Sequence, residues 1–134
     1  MEEKILFNLL KEKLIVDLEP TDQYNPTDGT SIKYELSIEL KCRSKYYGFL
    51  LIEKNKWDKL SLAKNARYIN SIPNGRDNLT YEVYSFDIKK LSQPHWFYKW
   101  CKETTQFGPP VYVRKLVGLL DNKKAKNLTD KLFC

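Results

Sequence analysis

Ile32-Lys33-Tyr34-Glu35-Leu36-Ser37-Ile38-Glu39-Leu40-Lys41-Cys42-Arg43 alternates without a break. Ile32, Tyr34, Leu36, Ile38, Leu40 and Cys42 share one face of an extended chain, and the polar residues between them share the other. The pattern predicts a half-buried β-strand over residues 32–43. Upstream, 19–30 holds two prolines, a glycine, an asparagine and two aspartates, and reads as a turn-rich excursion in which the chain changes direction. Before that, Ile5, Leu6, Leu9, Leu10 and Leu14 recur at helical spacing, with Glu2 and Glu3 near the favourable N-terminal end. Downstream, 47–52 predicts a short strand, and Trp57, Leu60, Leu62 and Ala63 mark a helix within 53–66. Residues 67–72 predict a strand ended by Pro73-Asn74-Gly75, with 79–86 as its hairpin partner. Residues 96–101 are expected as a helical turn. Gly108-Pro109-Pro110 breaks the chain, and 111–120 forms a last strand.

The whole chain, 1–134, reads as one domain of mixed α/β type. At 134 residues it is long enough to bury a core without staples, and 18 aromatic residues are spread from end to end, which excludes disorder. No apolar run approaches the roughly 20 residues that cross a bilayer, so no membrane partner is expected. Met1-Glu2-Glu3-Lys4 lacks the features of a secretory signal, and Cys42, Cys101 and Cys134 are odd in number and widely spaced. Free thiols and a cytoplasmic location are the expectation.

Glu39 and Lys41 stand two apart on the predicted strand, so both point to one face with roughly 7 Å between their Cα atoms. Asp28, in Asn25-Pro26-Thr27-Asp28-Gly29, lies eleven residues upstream, enough chain to turn and bring a second carboxylate alongside Glu39. Two carboxylates suit a hard divalent cation such as Mg²⁺, and the Leu40 carbonyl can add a ligand. Lys41 then orients a metal-bound water or offsets charge on a phosphate, which is the chemistry of phosphodiester hydrolysis. The triplet alone is weak, since Glu2-Glu3-Lys4, Asp87-Ile88-Lys89 and Asp121-Asn122-Lys123 share its form. The plain alternative is a cross-strand ion pair on a solvated face.

The segment beyond the strand favours the metal-site reading. Residues 41–67 carry eight basic side chains against Glu53 and Asp58. Such an excess meets a polyanion, because phosphate contacts supply most sequence-independent affinity for nucleic acid. Arg43, Lys45, Lys54 and Lys56 are the candidate phosphate contacts. Tyr46, Tyr47 and Trp57 stack on bases or fill the core, and for Trp57 the core is the favoured place.

Asp28, the run Ile38-Glu39-Leu40-Lys41-Cys42-Arg43-Ser44-Lys45-Tyr46-Tyr47 and the run Leu51-Ile52-Glu53-Lys54-Asn55-Lys56-Trp57-Asp58-Lys59-Leu60 together resemble the core of PD-(D/E)xK nucleases, in particular small phage-type members. Trp96 or Trp100, followed by Thr104-Thr105-Gln106-Phe107-Gly108, is similar to a later part of the pattern. The resemblance implies a restriction-endonuclease-like αβββαβ core, a mixed central sheet flanked by helices, and Mg²⁺- or Mn²⁺-dependent cutting of DNA. Asp28, Glu39 and Lys41 would take the motif roles. A phage-encoded protein of this kind would act in the host cytoplasm, and a homodimer is one arrangement that presents two sites to two strands. Pro26-Thr27-Asp28 departs from the literal Pro-Asp dipeptide and leaves Asp22 as an alternative ligand. Glu2, Glu3 and Glu12 are equal candidates for a further acid from the first helix. A catalytically inactive module of the same fold, binding nucleic acid or inhibiting a protein, is the second expectation.

Other chemistries find no residues. His95 is the single histidine, which rules out multi-histidine zinc sites, and the five scattered glycines form no phosphate-cradling loop.

Overall fold

The computed structural model describes residues 1–22, 28–76, 79–103, 109 and 111–134. The turn residues Asn25-Pro26-Thr27, the Thr104-Thr105-Gln106-Phe107-Gly108 segment and most of the Gly108-Pro109-Pro110 break lie outside these. Helix α1 (Glu3–Lys13) turns Leu6, Phe7 and Leu10 inward, with Glu3 in its first turn and Lys11 and Lys13 in its last, each matching the helix dipole. Strands β1 (Glu19–Pro20), β2 (Asp28–Ser31) and β3 (Leu36–Cys42) come next as antiparallel neighbours. Strand β4 (Phe49–Glu53) leads directly into α2 (Lys54–Leu62), which returns the chain to β5 (Ala66–Pro73), parallel to β3. Strand β6 (Tyr81–Asp87) completes the hairpin with β5. Then come β7 (Phe97–Lys102), β8 (Tyr112–Asp121), β9 (Lys126–Asn127) and α3 (Thr129–Phe133).

The strands divide into a mixed six-stranded sheet, ordered β1-β2-β3-β5-β6-β9, and an antiparallel three-stranded sheet, β4-β8-β7. Alternation along the large sheet feeds two cores. Ile38 and Leu40 of β3, Ile69 of β5 and Val83 of β6 pack against α1 and Leu132 of α3. Ala66, Tyr68, Ile72 and Phe86 face the other way, onto Trp57 and Leu60 of α2 and onto Leu50, Ile52 and Leu120 of the small sheet. Each such large apolar side chain, fully buried, contributes about 1.5–3 kcal/mol. Trp57 is in the core as expected, edge-on to Trp96 with ring centroids 6.0 Å apart. The architecture is therefore mixed α/β with a mixed central sheet. Among the described residues no helix is long and apolar enough to cross a membrane. All three cysteines are free.

Three expectations are corrected. The 32–43 strand begins only at Leu36, because residues 32–35 form the loop of the β2–β3 hairpin. Ile32 is 91 % exposed there, and Glu35 closes the loop with a φ of 49°. Alternation continues through a hairpin loop without requiring pairing, so the pattern overran the strand. Residues 97–102 form strand β7 and not a helical turn; aromatic side chains fit a pleated surface, and β8 supplies the partner. Nor is 111–120 the last strand, since β9 and α3 come after it and Leu128 and Leu132 close the α1 side of the core.

Candidate active site

Glu39 lies near the middle of β3, and Asp28 opens β2. The two residues are direct partners in the antiparallel register. Partners directly opposite share a face, and Lys41, two positions beyond Glu39, shares it too. That face is the one turned toward α2, since Tyr68, the β5 partner of Glu39, packs in the α2 core. The loop that sets this register is tied from outside. Asp17 accepts hydrogen bonds from Ser31 Oγ at 2.6 Å and from the Lys33 amide at 2.9 Å, and these bonds hold its carboxyl below the ordinary carboxylate range.

Glu39 has a side chain only 4 % exposed, which is costly for a carboxylate without partners. Lys56, from α2, donates to its Oε1. Lys59, one turn further on, donates to Asp28 Oδ2 at 2.8 Å and stands 3.9 Å from Glu39 Oε2. One ammonium therefore bonds Asp28 and lies within ion-pair distance of Glu39. Even so, Asp28 Oδ1 and Glu39 Oε2 are buried and accept no hydrogen bond among the described residues. Leaving a buried acceptor unmade costs about 1–3 kcal/mol.

Leu40 sits one position past the last β2–β3 pair. The amides of Ser37 and Arg43 bond the Asn65 and Ser71 carbonyls on the β5 side, so Leu40 turns its own backbone groups toward the β2 side, where the carboxylates meet. Lys41 is half-buried, and burial, followed by the nearby Arg43 charge, lowers its pKa from the ordinary 10.5. It lines a cavity of about 310 Å³ with Arg43, Tyr47, Phe49, Leu51 and Lys99. Of the three acids at or on α1, Glu3 is half-buried and its charge is felt at both Lys41 and Cys42; Glu2, which precedes the helix, and Glu12 are exposed. Asp22 is exposed beyond β1.

The four basic residues read as phosphate contacts differ in position. Arg43 is turned inward, bonding Asn70 Oδ1, the Tyr68 hydroxyl and the Leu51 carbonyl, which ties the two sheets together. Lys56 is bound to Glu39. Lys54 pairs with Asp58 at 2.9 Å and lies over the Trp96 ring, and Lys45 is exposed. Sequence reasoning did not assign Lys59 a partner, although its i, i+3 spacing from Lys56 already put both on one helix face. The Glu53–Lys115 pair at 2.6 Å, which joins the start of α2 to β8, had no local signal at all. Among the described residues, no group of three or more His, Cys, Asp or Glu is placed to hold a metal ion. No protein-family model, curated protein or solved structure matches the chain.

Proposed function

We propose that the chain is a metal-dependent nuclease of the PD-(D/E)xK type that hydrolyses phosphodiester bonds of DNA. One observation carries this reading. Two carboxylates face each other in register, each keeps a buried oxygen that accepts no hydrogen bond among the described residues, and a lysine stands two residues further along the same face. The order α1–β1–β2–β3–β4–α2–β5, with β5 parallel to β3, supports a restriction-endonuclease-like core in which β4 is diverted into a second sheet.

The residues fit a hard cation. Mg²⁺ takes oxygen ligands, commonly one or two carboxylates plus waters and substrate phosphate. Asp28 and Glu39 would hold it through the oxygens that accept no hydrogen bond among the described residues, with the Leu40 carbonyl as a further donor. The ion, Mg²⁺ or Mn²⁺, supplies an acidified water and a counter-charge for phosphate. Lys41, two residues along the same face but lining a cavity that includes neither acid, would have to swing its ammonium toward the carboxylates to serve as a donor there. Lys56 and Lys59 balance the carboxylates with two positive charges, the charge of one divalent ion. Their side chains are 40 % and 65 % exposed, so both ammonium groups are free to swing from the carboxylates to phosphate oxygens.

The test is cleavage of labelled DNA by the purified chain. Cutting is expected with Mg²⁺ or Mn²⁺ only, and Lys41→Ala and Asp28→Asn should lose it while retaining DNA binding. Cutting that persists unchanged in EDTA overturns the proposal. The ion pairs from Lys56 and Lys59 also favour a second reading, a nuclease-fold module without catalysis that binds nucleic acid or inhibits a protein partner. That reading predicts neither heat nor thermal stabilisation on adding Mg²⁺, together with salt-dependent binding of the partner.

A further inference from the structure

The β7–β8 ribbon carries three large aromatic side chains that the fold does not bury: Tyr98 is 61 % exposed, Trp100 66 % and Tyr112 55 %. The register pairs Trp100 with Arg114, Lys102 with Tyr112 and Tyr98 with Leu116, so all six lie on one face. The Arg114 guanidinium stands 4.5 Å from the Tyr98 ring centroid, which orients it over that face. No carboxylate is found among the described residues of this face.

From this arrangement we infer that the exposed face of the β7–β8 ribbon is a platform for an unpaired DNA strand, with Tyr98, Trp100 and Tyr112 stacking on bases and Lys102 and Arg114 meeting phosphates. The inference rests on the nuclease reading and narrows its substrate. Two features select an unpaired strand over a duplex. A duplex hides its base faces in the stack, whereas aromatic side chains bind the faces of splayed bases. Tyr98 and Trp100, two apart on a strand, are separated by roughly 7 Å, about twice the base spacing of a duplex strand. Charge argues against a second copy of the chain as occupant, since self-pairing of the face would press Arg114 and Lys102 toward their own copies. The Glu53–Lys115 pair anchors the ribbon to the start of α2, three residues before the Lys56 that binds Glu39.

The experiment is fluorescence anisotropy of the full chain with labelled oligothymidine and with a matched duplex, both in EDTA so that no cutting intervenes. Trp100→Ala should weaken binding of the single strand about tenfold or more, and Trp100→Phe should restore most of it. Arg114→Ala, tested beside it, should weaken binding of the single strand more than binding of the duplex. Unchanged affinity of Trp100→Ala and Arg114→Ala for oligothymidine overturns the inference, as does sedimentation showing that Trp100→Ala instead dissolves a dimer. Either failure leaves Mg²⁺-dependent cutting untouched. Trp100-dependent strand binding without any cutting would remove the nuclease reading alone.

Discussion

Replacing Lys56 by Met isolates the electrostatics of the proposed metal site. In the parent, Lys56 donates to Glu39 Oε1, while Oε2 accepts no hydrogen bond among the described residues and stands 3.9 Å from Lys59 Nζ. Lys56→Met leaves a carboxylate that is 4 % exposed with neither oxygen bonded. Removing one partner of a buried pair costs roughly 3–5 kcal/mol. Lys56 is 40 % exposed and Lys59 remains, so partial hydration brings the expected cost to about 2–3 kcal/mol. With an unfolding entropy of about 2.1 cal/mol/K per residue over this chain, the melting temperature should fall by about 7–11 °C. Mg²⁺ should reverse the loss, since a ligand at about 100 times its Kd adds about 2.7 kcal/mol to the folded state. The variant, having lost the competing ammonium, should gain more from the ion than the parent does. Far-UV circular dichroism melts of both proteins, in EDTA and in saturating Mg²⁺, read these shifts directly. A Lys56→Met protein that melts at or above the parent in EDTA, or gains no more from Mg²⁺, refutes the reasoning.

Lys41→Met should abolish cutting yet raise the urea midpoint, because burial disfavours the Lys41 ammonium in the folded chain; a lowered midpoint would contradict it. Asp17 carries a pH dependence. Its hydrogen bonds from Ser31 and Lys33 lower its folded pKa below the ordinary 3.8, so the unfolded chain binds more protons as pH falls between the two values. Its stabilisation is thus present above the ordinary value and lost as pH drops toward the folded one, and Asp17→Asn should flatten the acid limb of a stability profile. Gly118→Ala would place a Cβ 2.7 Å from Pro94 Cγ and 3.0 Å from Trp96 Cζ3, and should cost about 1–3 kcal/mol in chemical denaturation. Burial, with Glu3 nearby, pushes the Cys42 thiol up to about 12, so iodoacetamide at pH 8 should alkylate exposed Cys134 and spare Cys42, as peptide mass spectrometry would show.

Helix α1, helix α2, the β5–β6 hairpin and β3 were legible in the chain, because each is a local periodicity that a few neighbouring residues impose on themselves. Glu39 and Lys41 could be put on one face for the same reason. Strand β7 was not legible. Its aromatic run suits helix and strand alike until β8, whose partners lie 10 to 20 residues further along the chain, supplies hydrogen bonds. Arg43 looked like a surface cation because nothing local says that Asn70, Tyr68 and the Leu51 carbonyl converge on it.

By itself, then, the sequence determined which residues share a face within one element: Ile38 with Leu40 and Cys42, and Glu39 with Lys41. Only the tertiary structure decided that Asp28 stands opposite Glu39 and that Lys56 and Lys59 close over the pair. Strand register is a long-range choice, fixed here by the four-residue loop, the Asp17 tether and the burial of one face. A slip of one residue would carry Asp28 to the other side of the sheet.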